Sequence, residues 1–230
     1  MLDGVVTLAT SSTPGERLRV LGRRQQQLLC CRACQEAGYL ARANPVAGIQ
    51  GVRKLMLLGQ APGRHSDAAG VPFSGPSGRV IERWLRQAGF AEGALRRDIY
   101  LTSVTRCDPG KARGGAGDRV PSPAERALCA HWWRTELALV RPRVLLLCGR
   151  LAIEQFYPPR SLEELVGGWR REGQTWLLPL PHPSGVSRWL NDPAHRALVD
   201  RALEQLGRWR ERYGLDRPGR YAAMPTGPGT

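Results

Sequence analysis

Two short runs without a polar face, each stopped by glycine, constrain this chain more than any other feature. They are KLMLLG at Lys54–Gly59 and VLLLC at Val144–Cys148, the latter ended by Gly149. A strand that is apolar on both sides is buried on both sides, which is the condition of a strand inside a parallel sheet covered by helices. Tyr100–Thr105 and Thr175–Leu180 read as two further strands. Helical patterns separate them. From Ser77 the residues Val80, Ile81, Trp84, Leu85 and Ala88 repeat at helical spacing until Gly89. Ser122-Pro-Ala-Glu125 is a capping box that predicts a helix over 123–140, and a helix follows Gly149 through Phe156. Arg17–Glu36 has helical character and forms a cap, and Ala194–Arg210 closes the fold with Leu198, Ala202, Leu203 and Leu206 on one face. The expected architecture is a three-layer α/β/α sandwich around a mainly parallel, four-stranded sheet. It forms one domain over residues 1–215, with a flexible tail at 216–230.

Three loops at the carboxyl ends of the strands are unusual. QAPGRHSDAAGVPFSGPSG follows Gly59 and is too rich in Gly, Pro and Ser for a regular element; Asp108–Val120 is glycine-rich and basic; PHPSGVSRWLN follows Leu180. Open sheets of this kind bind ligands beyond the carboxyl ends of their strands, so these loops are expected to meet at a site.

With 42% hydrophobic and 23% charged residues among 230, the chain is neither wholly disordered nor a coiled coil. No apolar stretch reaches the roughly 18 residues of a membrane span, and no export signal opens the sequence. A soluble, cytoplasmic monomer is expected. The formal charge of +14 is carried almost wholly by Arg, since only Lys54 and Lys111 are lysines. It favours a polyanionic partner, although a compositional preference for Arg over Lys gives the same surplus. In a reducing compartment the six cysteines point to metal ligation before disulfides. Cys31 and Cys34 form a C-x-x-C pair, and Cys107 and Cys129 supply two more thiols, a set that suits tetrahedral zinc or an iron–sulfur cluster. Cys30 competes with Cys31, while Cys148 lies in an apolar strand as a small core residue.

The ordered blocks ANPVAG (43–48), RKLMLLGQAPG (53–63), D-x-x-G-x-PF-x-G-x-x-G (67–78), LTSVTRC (101–107) and HPS (182–184), together with the four cysteines, resemble the uracil-DNA glycosylase superfamily, in particular its family 4 iron–sulfur branch. The likeness spans about residues 28 to 207. It implies one [4Fe–4S] cluster on Cys31, Cys34, Cys107 and Cys129, and DNA containing uracil or another deaminated base as partner.

Releasing a pyrimidine requires extruding the nucleotide, gripping the base and stabilising it as an anionic leaving group. Gln60 and the backbone N–H groups of the Gly59–Gly63 turn can donate to the base or to water, with Gly59, Ala61, Pro62 and Gly63 shaping the substrate-binding loop. By resemblance, Phe73 is the floor on which uracil stacks, and His182 hydrogen-bonds the uracil O2. Asp67 and Ser184 join the substrate-binding set. Ser184 with Gly185, and Gly75 to Ser77, fit phosphate pinching; Val186, Trp189 and Leu190 include the wedge; Arg64, Arg79, Arg106, Arg188 and the 111–119 loop supply phosphate contacts.

The chain departs from the pattern in three places. Gln60 replaces the acidic residue of the usual GEAPG, leaving water activation unassigned, with His65 a stand-in base. Ser103 replaces the uracil-reading asparagine and is expected to donate one hydrogen bond, so hypoxanthine or xanthine enters the substrate question. The 107–129 loop is longer than usual, but residues 111–120 hold no histidine of the kind that traps the sugar covalently in a related branch. A damaged-DNA-binding module of the same fold, weak or silent in catalysis, is the competing reading.

Overall fold

The computed structural model describes residues 12–48, 51–112, 114, 117–183 and 188–217. Five strands form one sheet: β1 (Leu55–Gly59), β2 (Ile99–Ser103), β3 (Val144–Cys148), β4 (Arg170–Glu172) and β5 (Thr175–Leu180), in the order β2-β1-β3-β5-β4. The first three and β5 are parallel, as the two apolar runs require. The fifth strand corrects the four-stranded expectation. β4 pairs antiparallel with β5 and is exposed along its length. Its sequence, Arg-Arg-Glu, has no apolar residue to announce a strand; charge on an edge instead blocks pairing with other chains.

Successive strand residues face opposite layers. Leu55, Leu57, Ile99, Leu101, Val144, Leu146, Leu178 and Leu180 enter one core, closed by Ile81, Trp84 and Leu85 and by Val199, Leu203, Leu206 and Trp209. Met56, Leu58, Tyr100, Leu145, Leu147 and Leu177 enter the other, with Leu21, Trp133, Leu139, Leu151 and Ile153. The helices among the described residues are, in chain order, α1 (Pro14–Leu29), α2 (Ala33–Glu36), α3 (Arg64–Ala69), α4 (Pro76–Gln87), α5 (Ala94–Arg97), α6 (Pro123–Val140), α7 (Arg150–Ile153), α8 (Leu162–Leu165) and α9 (Pro193–Tyr213), and the named core residues come from α1, α4, α6, α7 and α9. The Ser122–Glu125 capping box forms as the sequence predicts, and Thr13 with Glu16 makes the same motif at α1. Helix α7 stops at Ile153, short of Phe156. The loop after β1, expected to be irregular, contains α3, whose first turn closes through the Asp67 N–H to the Gly63 carbonyl. Of the expected flexible tail, residues 218–230 lie outside the described residues. No helix among the described residues is long and apolar enough to cross a membrane.

The chain leaves β1 for β2 on one side and then crosses to β3 on the other, so the strand order reverses between β1 and β3. A crevice at the carboxyl ends follows from that reversal.

Candidate functional site

A cleft of about 500 Å³ opens at that position, within the size range of small-molecule sites, about 300–1,000 Å³. Every strand-end loop expected there contributes. Gly59 to Gly63, Arg64 and His65 come from the loop after β1; Phe73 and Ser77 from the turn into α4; Ser103 from β2; His182 from beyond β5. The three residues on which the sequence argument rests, Gln60, Phe73 and His182, thus share one cavity.

Each is held by its neighbours. The Thr105 N–H donates to the Gln60 carbonyl at 3.1 Å, continuing the β1–β2 ladder and leaving the Gln60 side chain in the cleft. Phe73 is one of two non-glycine residues at positive φ among those described, at 56°, a conformation that costs energy unless its surroundings impose it. They do: the Arg96 guanidinium donates to the carbonyls of both Pro72 and Phe73, the latter at 2.9 Å. The ring then lies against the end of β1, where a methyl placed on Gly59 would meet Phe73 Cζ at 2.6 Å. Only glycine at 59 leaves room for the platform.

His182 is half-buried between the buried Pro181 and Pro183. Gly149, at φ 90°, passes beneath it, and a methyl there would reach His182 Cδ2 at 3.0 Å. Burial lowers the imidazole pKa, while the Asp118 carboxylate opposes that shift. At neutral pH the ring is therefore neutral and keeps one N–H to donate.

Ser103 differs from expectation. Its hydroxyl donates to the Thr105 carbonyl at 2.7 Å, so its one proton is committed and it meets the cleft as an acceptor. Cys148, a core residue as expected, also forms part of the cleft wall, with its thiol directed to the Pro181 carbonyl. Asp67 does not reach the cleft; its carbonyl and Oδ1 accept from the Asn44 amide, both at 3.1 Å. Arg106 is no phosphate contact. It is 1% exposed and pairs with Glu136 at 2.9 Å, because a guanidinium buried under the sheet requires a carboxylate partner. Arg119 is likewise engaged, with Glu125.

The structure does not bring Trp189 and Leu190 to the cleft. The Trp189 indole stacks on His195 at 4.2 Å and donates to Glu163, while Leu190 packs on the first core. Arg188 lies in a 3-10 turn, Arg188–Asn191. Ser184, Gly185 and Val186 fall outside the described residues. The 111–119 loop, expected to supply phosphate contacts, brings Lys111 and also Asp118 to the cleft, and Val120 follows them; the loop's basic character pointed to Lys111 but not to a carboxylate in the cleft wall.

The four thiols lie near enough to act on one another's protonation. Cys129 is buried with Leu28 and Trp132, and Cys31 packs against that group, whereas Cys30 is exposed. Burial pushes Cys107 up to about 11 and Cys129 to about 12; the charge of Cys34 acts on both. Cys34 is raised by burial first, then by Glu125 and by Cys31. Backbone N–H groups of Asn44 and Arg106 bond Cys107 and Cys129 and favour their thiolates. Among the described residues no three His, Cys, Asp or Glu side chains converge to hold a single metal ion.

A mainly parallel sheet with helices around it and a strand-end cleft lined by an aromatic ring, a glycine-rich loop and an imidazole defines an α/β protein with its candidate site at the carboxyl edge of the sheet. The profile of the uracil DNA glycosylase superfamily matches residues 50–207, and the chain belongs to that superfamily. A Type-4 uracil-DNA glycosylase of Thermotoga maritima is 26% identical over 194 residues, covering 82% of this chain and 92% of its own. One from Archaeoglobus fulgidus is 28% identical over 171 residues, covering 70% and 80%. A Type-5 uracil-DNA glycosylase of Pyrobaculum aerophilum is 30% identical over 132 residues, covering 53% and 55%. These relatives agree with placement in the family 4 branch.

Proposed function

We propose that this protein is a monofunctional DNA glycosylase that hydrolyses the N-glycosidic bond of uracil, and of other deaminated bases, in DNA, leaving an abasic site for base excision repair. The observation that carries this reading is the meeting of Phe73, Gln60 and His182 in one cleft. An everted base stacks on Phe73, its edge meets Gln60 and the Gly59–Gly63 backbone, and the neutral His182 donates to the O2 where negative charge grows. Stabilising that charge is the main service a protein offers this reaction. Arg64 at the cleft supplies positive charge for the DNA backbone, and Ser77 there fits phosphate contact; Ser184 and Gly185 take the same role on the family resemblance alone.

Ser103 sets the base preference. An acceptor at this position takes a ring N–H but offers nothing to a carbonyl beside it, so the pocket reads a lactam N–H without the paired contact an asparagine makes. Uracil, hypoxanthine and xanthine all present such an N–H. A cleavage assay on strands carrying each base is expected to show product from more than one. Ser103→Asn should favour uracil by about 2–10-fold, the worth of one neutral hydrogen bond. No product from any strand, with salt-sensitive binding retained, would leave a DNA-binding module instead.

Cys31, Cys34, Cys107 and Cys129 fit a [4Fe–4S] cluster. Thiolates around one tetrahedral ion lie within about 3.8 Å of each other, given metal–sulfur bonds of about 2.3 Å. The family resemblance of the four-cysteine set favours the cluster over a single zinc ion. A cluster held by these four residues would tie the α1–α2 region, the loop after β2 and α6 together. Protein purified without oxygen is expected to be brown, Cys107→Ser and Cys129→Ser to bleach it, and Cys30→Ser to leave the absorption unchanged. A colourless protein with one zinc would overturn this assignment.

A further inference from the structure

Gln60 leaves the cleft without the acidic group its relatives' motif provides, yet the cavity is not without a carboxylate. Asp118 lines it, contributed by a different loop from Gln60. A methyl on Gly63 would lie 2.7 Å from Asp118 Oδ2, which puts this oxygen directly over the loop that carries Gln60. The same carboxylate is near enough to His182 to act on its protonation.

The loop is built to hold it there. Lys111 and Asp118 face each other across a short antiparallel bridge. Backbone bonds of 2.9 Å from Ala112 to Gly117 and from Arg119 to Gly110 close the hairpin. Lys111 Nζ pairs with Asp118 Oδ1 at 2.7 Å, leaving Oδ2 for another partner. The next residue, Arg119, grips Glu125 on α6 with two bonds of 2.7 Å, and those bonds hold the Glu125 carboxylate down to about 2. The hairpin is thereby fastened to a long helix. Stability does not require Asp118, because an exposed ion pair such as Lys111–Asp118 contributes about 0–1 kcal/mol.

We infer that Asp118 activates the attacking water, taking over from a second loop the task that Gln60 cannot perform. This rests on the glycosylase reading above. In the step, Asp118 Oδ2 accepts a proton from water while the water oxygen bonds to C1′ of the deoxyribose. The C1′–N bond breaks, and its electron pair leaves on the base as an anion held by His182. The proton then passes from Asp118 to the departed base or to solvent, which restores the carboxylate. Water and nucleoside are consumed, and an abasic sugar and free base are formed. Lys111 keeps the carboxylate oriented.

The test is single-turnover cleavage by the full chain, with DNA affinity and melting temperature measured beside it. Asp118→Asn keeps shape and removes the base. Its rate is expected to fall about 10²-fold or more, the usual worth of general base catalysis, with affinity for uracil DNA within about threefold of wild type. Gln60→Glu introduced into Asp118→Asn should recover at least about tenfold, a rescue that a purely structural role would not give. A rate within about threefold of wild type in Asp118→Asn overturns the inference. So does a loss matched by weaker binding, or a double variant no faster than the single. A wild type that cleaves none of the bases removes the glycosylase reading and this inference together, whereas a cleaving wild type with an equally fast Asp118→Asn removes this inference alone.

Discussion

Alanine in place of His182 should slow release of uracil by about 10²–10³-fold, the loss seen when one donor to a developing oxyanion is removed. The imidazole lies between two prolines and over Gly149, so it is oriented before substrate arrives and spends nothing on reorganisation. Single-turnover kinetics at saturating enzyme measure the step. Phe73→Ala should do less to the rate and more to affinity, since stacking on one aromatic is worth about 1–3 kcal/mol per base. The two variants would then separate along rate and binding. A His182→Ala enzyme with unimpaired rate would remove the imidazole from the mechanism. The same residue has a pH signature. Burial lowers its pKa in the folded chain, so below the ordinary value of 6.5 the unfolded chain binds the proton first. Stability therefore falls as pH drops below 6.5 and levels off once the folded form is also protonated. His182→Ala should flatten that part of the stability profile.

The second large effect is on folding. Arg106 and Glu136 are 1% and 4% exposed at their side chains and pair at 2.9 Å, with Thr102 donating to the same carboxylate at 2.5 Å. Glu136→Leu leaves a guanidinium buried without a counter-charge and is expected to cost about 3–5 kcal/mol. For a chain of this size that corresponds to about 6–20 °C in melting temperature. Arg106→Met combined with Glu136→Leu should regain most of the loss, because two apolar side chains need no partners. Thermal melts of the single and double variants decide it: equal melting temperatures would mean the pair is not coupled. Since Arg106 precedes Cys107, visible absorption should be recorded on the same samples.

The strands β1 and β3 were legible because nothing but burial on both faces tolerates LMLL and VLLLC, and helix α6 because Ser122 and Glu125 cap it from within the sequence. That Phe73 and His182 would lie at the cleft was expected from the family resemblance of their motifs, and both line it. Charge, by contrast, misled at Arg106 and Arg119. A count of arginines does not say which ones find carboxylates, and both are held by glutamates distant in sequence or bound into a cap. Strand β4 was hidden because an exposed edge has no need of apolar residues.

What the sequence determined by itself is therefore whatever rests on local pattern: the apolar strands, the capped helices, the order of loops at the carboxyl edge and the four cysteines. What only the tertiary structure decided depends on partners far apart along the chain. Folding buried Arg106 on Glu136, drew Asp67 away to Asn44, and laid Asp118 over Gly63. A hydrogen bond or an ion pair is set by distance in space, and the spacing of residues in a chain carries no record of that distance until the sheet brings its ends together.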